Sequence, residues 1–311
     1  MSKSTMDEFI REMQEKERIT FTMLKNQTNE IMKSEKLFKD LLVMLARHTA
    51  SSVSNTILVQ AQFPEAVAVT SIPEWEKRQC PVVRDENGYY PQGIYQFEYA
   101  GQWQDENGKV RSKFKIYKGY DASQTYDPEA ARIYINDRTP VSVFYDDPDT
   151  IRNLALCNAS PVKCIPYNPK NFIADEEFID EKDGAKYIPE TKTVVIRKLS
   201  KSTWFFRVCQ QIALGMYHKI DGIEFSNAKR NFEAAIVAFI VSEKIGIDTS
   251  CYHFHIDDLS RQYDEKSFRK MLEQTLEYAQ EISFRVNARI TEKNVPKSPR
   301  SAIDLQRSDL S

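Results

Sequence analysis

Between Asn227 and Ile245 the chain runs almost without a polar residue from Ala234 to Val241. A helix on the surface of a globular protein keeps one polar face, and this segment has none there, so the pattern predicts a helix buried on all sides. It is far short of the 18 or more apolar residues of a membrane span, and no such run occurs anywhere in the sequence. The chain must therefore build a packed layer around this segment.

The flanking sequence supplies that layer. Residues 202–218 read as a helix opened by a Ser/Thr cap, with Trp204, Val208, Ile212 and Met216 recurring every fourth position. Residues 264–290 carry Phe268, Met271, Leu272, Leu276, Ala279, Ile282 and Val286 at helical spacing. Upstream, a helix near 148–157 is capped by Asp147 or Asp149, and strand-like runs follow at 162–165, 186–188 and 193–197. The last two flank Pro189-Glu190-Thr191, a hairpin signal.

The front half has a different grain. Residues 5–33 predict a charged helix with Met6, Phe9, Ile10 and Met13 on one stripe, and residues 35–48 a more apolar one ending at His48, whose imidazole suits a helix C-terminus. Ser54-Asn55 is read as the cap of a third helix stopped by Pro64, and Pro73 opens a short fourth. Strands follow at 94–99 and 113–117, separated by Asp105-Glu106-Asn107-Gly108. Residues 137–140 mark a domain junction. The expected organisation is a helical extension (1–34), a small α+β domain (35–136), a mostly helical domain with a short sheet (137–292) and a disordered tail (293–311).

Composition narrows the function. With 41% hydrophobic and 28% charged residues, the 311-residue chain reads as globular. Nine glycines and no GxGxxG or GxxxxGK[ST] pattern argue against a phosphate-cradling loop. A net charge of −2 argues against a surface that is basic throughout. The N-terminus is too charged for a secretory signal, and five irregularly spaced cysteines without a CxxC read as reduced thiols, so a cytoplasmic, membrane-free protein is expected.

Several segments together carry a resemblance. They are SVSNTILVQAQFPEAVAVTSIPEW, FKIYKGYDASQT, the hairpin KYIPETKTVVIRK, WFFRVCQQIALGMYHK and NFEAAIVAFIVSEKIGIDTS. In this order, over roughly residues 50–290, the chain resembles the ArdC and LtrC-type antirestriction proteins of mobile DNA, distant relatives of the ImmA/IrrE peptidases. Their N-terminal domain carries N-x-LLI-x-x-Q-x-P-x-A and ends in V-F-D-V-S-Q-T. Their second domain is zincin-like, with a first helix like HEIAHAxLH and a second like EAESIAYVVxxxxGIDTS. The resemblance implies an α+β fold: an N-terminal single-stranded-DNA-binding domain followed by a zincin-like, pseudo-metallopeptidase domain.

Laid on that pattern, the first zinc histidine is Gln210, the catalytic glutamate Gln211 and the second zinc histidine Leu214. Neutral Gln is a poor zinc ligand, Leu is none, and an amide has no useful basicity near neutral pH. Glu233 stands where the family's third ligand would lie, and is read as an acid in the first turn of its helix. The expectation is a non-enzyme without cofactor. A rebuilt metal site would draw on His218, His253 and His255, with Cys209 and Cys251 as further candidates.

For single-stranded DNA the candidates are Arg111, Lys113, Lys115, Tyr117 and Lys118. Residues 111, 113, 115 and 117 alternate onto one strand face, with Phe114 and Ile116 turned toward the core. One departure weakens the case: relatives carry a basic GR-x-V-K-K-G-E-K-G stretch where this chain has residues 79–88, QCPVVRDENG. Three functions follow. The protein binds single-stranded DNA without catalysis; or it acts only by contacting a host defence or conjugation protein, for which the N-terminal helix is suited; or it is a metallopeptidase with a rebuilt site.

Overall fold

The computed structural model describes residues 3–47, 51–131, 148–167, 184–196, 201–221 and 227–294. His48, the junction at 137–140 and the tail from residue 295 lie outside them. The chain divides into two units, residues 1–139 with 252–273, and residues 140–251 with 274–311.

In the first unit, α1 (Lys3–Ile31) buries Thr20, Leu24, Thr28 and Ile31, a 4-4-3 stripe. The two buried threonines cost little, because their hydroxyls donate to the Lys16 and Leu24 carbonyls one turn back, at 2.8 and 2.7 Å. Nearer its start, Phe9, Ile10 and Met13 are exposed. α2 (Glu35–Arg47) buries Phe38, Leu41, Leu42 and Leu45. Residues 252–254 return here: Phe254 meets the Phe38 ring edge-on at 5.2 Å, and its N–H donates to Glu35 at 2.9 Å. That bond, with His253 adding a smaller effect, holds the Glu35 carboxyl below its ordinary range. A short helix, Leu259–Gln262, follows in the same unit.

α3 (Val53–Gln62) is capped by Ser52, whose hydroxyl accepts from Asn55 N–H at 3.2 Å. The sequence placed the cap at Ser54-Asn55; the helix begins earlier because Asn55 is used elsewhere. Its amide accepts from Phe97 N–H at 2.8 Å and donates to Phe97 C=O at 3.0 Å. Two turns on, Gln62 does the same to Tyr95, at 2.9 and 3.0 Å. The segment they hold is β2 (Ile94–Gln104), an outer strand of a three-stranded sheet. That sheet has β3 (Val110–Asp121) in the middle and the short β1 (Val69–Thr70) on its other side, both pairings antiparallel. β2 and β3 run well past the predicted 94–99 and 113–117.

At the base of the sheet lies α4 (Ile72–Lys77), whose fully buried Trp75 donates its indole N–H to Tyr120 C=O at 2.9 Å. Asp121 closes the sheet. Its carboxylate accepts from the N–H groups of Val67, Ala68 and Ser123 at 2.8, 2.9 and 3.0 Å, and Gln124 accepts from Asp121 N–H at 2.8 Å. Gly119 is required by space, since a Cβ there would sit 2.7 Å from both Gln96 Oε1 and Val69 Cγ1.

The second unit contains α5 (Pro148–Ala159) and a sheet of β4 (Lys163–Pro166), β6 (Thr193–Ile196) and β5 (Ala185–Ile188), in that order. β5 and β6 form the predicted hairpin, while β4 lies parallel to β6. α6 (Lys201–Asp221) packs on β5 and β6, and α7 (Ala228–Ile245) packs on α6. The apolar run is buried as expected, from Glu233 through Ser242 save Ala235. Gly246 ends α7 in the left-handed conformation, at φ 77°. Its N–H bonds to Glu243 C=O, and Ile247 N–H to Ser242 C=O, satisfying the last carbonyls. The last long helix runs over Glu265–Asn294, with residues from Gln274 assigned to this unit. Among the described residues no helix is long and apolar enough to cross a membrane. The fold is mixed α+β, with small sheets and many helices.

The amide brackets give a sharp test. Asn55→Asp keeps the size and the acceptor but places a carboxylate against the Phe97 carbonyl. A loss of about 2 kcal/mol is expected in urea unfolding, the cost of a half-buried backbone group that has lost its donor.

Candidate functional site

Gln210, Gln211 and Leu214, the positions that the resemblance lays on a metal-binding motif, lie on α6. Gln210, only 8% exposed, accepts from Arg207 at 3.0 Å and donates to Asn231 C=O at 3.3 Å, which ties α6 to the first turn of α7. Gln211 points to the sheet and accepts from Tyr187 N–H of β5 at 2.8 Å. Leu214 is buried in the packing of α6. Beside it, Gly215 lets the helix approach the strands: a Cβ would lie 2.8 Å from the Tyr187 ring and 3.0 Å from Val162.

Glu233 is buried at 1% exposure and forms an ion pair with Arg230, whose guanidinium stacks 4.6 Å from the Tyr217 ring centroid. It is the sixth residue of α7, past the first turn where the sequence reading had placed it. Its charge is met by a side chain rather than by the helix end. His218 Nδ1 lies 2.8 Å from the Tyr187 hydroxyl, whose proton is held more tightly than usual by burial and by Glu190. In the first unit, His253 Nδ1 sits 3.2 Å from Glu35, and His255 is exposed. Among the described residues no three of His, Cys, Asp and Glu are grouped so as to hold a metal. The side chains around Gln210 do not fit a metal either. Two are amides, one is an alkyl group, and the one carboxylate is engaged by Arg230.

The nucleic-acid candidates lie on the β2–β3 hairpin, and the structure divides them. Lys113 and Lys115 are exposed on one face, but Lys115 pairs with Glu98 directly across the strands at 2.9 Å. Arg111 is opposite Trp103 in register. Tyr117 shares that face but is half-buried, with its hydroxyl donating to Gln96 at 2.6 Å. Burial first, then Glu98, raises its pKa. Lys118 is on the opposite face, 5.6 Å above the Tyr95 ring opposite it.

Phe114 corrects the expectation more plainly. It is 52% exposed, not in the core, and meets Tyr99, itself 57% exposed, edge-to-face at 6.2 Å. Phe97 lies 6.4 Å from Phe114, and its other side is covered by Phe21 of α1 at 4.9 Å. Alternation alone had assigned Phe114 to the core. The strand extends beyond the brackets at Tyr95 and Phe97, so no described helix covers that part of its face. The length of the paired runs, and Tyr99 two places after Phe97, were the available signals.

These features define a class: a two-unit α+β protein with a helix pair on a three-stranded sheet and buried or half-buried amides that join them. Solved structures of the antirestriction protein ArdC from plasmid R388 share the fold. The metal-free form matches at TM-score 0.50 and 14% identity over 87% of this chain and 98% of that one. The Mn(II)-bound form matches at TM-score 0.50 and 12% identity over 86% and 98%. No protein-family model matches the sequence, and neither does any curated protein.

The Arg230–Glu233 pair is the most sensitive point of this region. Arg230→Ala removes the guanidinium partner of a buried carboxylate and is expected to cost about 3 kcal/mol in chemical denaturation. Gln211→Ala, which frees one backbone N–H, is expected to cost about 1–2 kcal/mol.

Proposed function

We propose that this protein is a non-catalytic, antirestriction-like factor of a mobile element that binds single-stranded DNA through its β2–β3 hairpin. The observation that carries the reading is the half-exposed Tyr99–Phe114 pair on a face that also holds Lys118. Exposed aromatic rings beside cations are what sequence-tolerant binding of single strands requires, because every base offers a face for stacking. Lys113 and Lys115 line the other face, where Glu98 offsets one of the two charges. Stacking therefore contributes more than charge. The likeness in fold to a protein named for antirestriction supports the biological setting. The amides at positions 210 and 211 and the leucine at 214 support a role without peptide hydrolysis.

The test is fluorescence anisotropy with a labelled oligothymidylate over a salt series. Binding is expected to weaken with salt by a log–log slope of about 0.7 per phosphate contacted. Tyr99→Ala with Phe114→Ala is expected to weaken it at least about tenfold, at about 1–3 kcal/mol for each base unstacked. Full affinity in that double variant would remove the hairpin face from the reading. No binding at low salt would favour contact with a host defence or conjugation protein, for which Phe9, Ile10 and Met13 of α1 offer an exposed apolar stripe.

A further inference from the structure

The β2–β3 hairpin carries more than the aromatic pair on one of its faces. From residue 98 to residue 115 every described residue except Gly101 and Asp105 is exposed, so the two strands stand out with both faces in solvent. In an antiparallel pair, residues opposite in register share a face, and successive pairs alternate. Tyr99 opposite Phe114 therefore defines one face, which Lys118 opposite Tyr95 shares. Glu98 opposite Lys115, Gly101 opposite Lys113 and Trp103 opposite Arg111 define the other.

Trp103 is on that second face because of a bulge. The register shifts between Tyr99 and Gly101, which leaves Ala100 as an extra residue on β2. Under regular alternation Trp103 would share the face of Tyr99; the bulge turns it to the face of Lys113 and Lys115. Gly101 takes φ 112°, a conformation that residues with a Cβ rarely adopt, and so holds the bulge. The result is an indole, 53% exposed, on a face with three cationic residues that Glu98 offsets only in part, by its pairing with Lys115. The hairpin thus has an aromatic ring and cations on each side. At the tip, the Asp105 carboxylate accepts from the N–H groups of Asn107 and Lys109 at 3.1 and 2.9 Å, which fixes the turn. With the exposed Glu106 it also places negative charge there, so phosphates are favoured along the faces and disfavoured over the tip.

We propose that the hairpin takes a forked nucleic acid, with one unpaired arm on each face. The inference rests on the single-strand reading above and extends it to a second strand. Rings stack on the faces of unpaired bases, because in a duplex those faces are covered by the neighbouring pairs. An intact duplex offers a two-stranded ribbon its base edges in the major groove, and offers them to one side of the ribbon. Aromatic rings on both faces therefore call for two unpaired strands. A ribbon about 10 Å thick, set where a duplex opens, keeps two such strands apart and meets each with a ring and a cation. Tyr99 and Phe114 take a base of one arm, with Lys118 on the same side. Trp103 takes a base of the other, with Lys113 beside it on that face.

The full-length protein is titrated by fluorescence anisotropy with three labelled DNAs at one low salt concentration. These are a duplex ending in two unpaired oligothymidylate arms, a single oligothymidylate of one arm's length, and the blunt duplex. The fork is expected to bind at least about tenfold more tightly than the single arm, from the added stacking and the joining of two arms. The blunt duplex is expected to bind no more tightly than the single arm. Trp103→Ala is expected to abolish the advantage of the fork while leaving affinity for the single arm within about twofold, since the other face still stacks a base. On the unsubstituted chain, bromodeoxyuridine placed in each arm in turn and irradiated is expected to crosslink to Tyr99 or Phe114 from one arm and to Trp103 from the other. Crosslinks from both arms confined to one face would overturn the proposal, whether or not the variant folds. So would an advantage of the fork retained in Trp103→Ala, or a blunt duplex that binds as tightly as the fork. A single arm that binds with no gain from the fork overturns this inference alone; failure of both the single arm and the fork to bind overturns the single-strand reading with it.

Discussion

The first unit depends on how the outer edge of β2 is satisfied. A strand at the rim of a sheet leaves a row of N–H and C=O groups without a strand partner. Here α3 lies along that edge, and the amides of Asn55 and Gln62, spaced two helical turns apart, each take one donor and one acceptor from alternate residues of β2. The helix thus acts as a further strand would. This fixes the register of β2 against α3 and holds the base of the hairpin firm, while its outer part stands with both faces available.

The second unit uses the same chemistry inside its packing. Gln211 supports the backbone of β5, and Gln210 ties α6 to α7. An amide both donates and accepts, so it can satisfy a backbone group without bringing in a net charge. Carboxylates at these positions would need a counter-ion once buried. The one carboxylate retained there, Glu233, has Arg230 held against it, with the guanidinium stacked on Tyr217. The region is built as a joint between helices and sheet.

Two motifs that carried the sequence resemblance turn out to have a structural purpose. The aspartate of DASQT is buried under three backbone N–H groups and closes the first sheet. The glycine of GIDTS takes the left-handed conformation that ends α7, with Asp248 and Thr249 fastening the following turn: Asp248 accepts from Ser250 N–H, and Thr249 donates to Glu243. Both serve the fold and say little by themselves about chemistry.

The sequence alone determined the elements and the class. The apolar run 234–241 demanded a buried helix, the helical spacing in 202–218 and 264–290 supplied its neighbours, and Pro189-Glu190-Thr191 marked a hairpin, because these patterns are local and periodic. It also determined that residues 210, 211 and 214 lack the chemistry of a metal site, since that follows from residue type. The tertiary structure decided what alternation could not. Phe114 is half-exposed because no described element covers the outer part of its strand. Lys115 pairs with Glu98 because antiparallel register set them face to face. Each of these depends on which residue lies opposite which, and a single chain read in order does not contain that pairing.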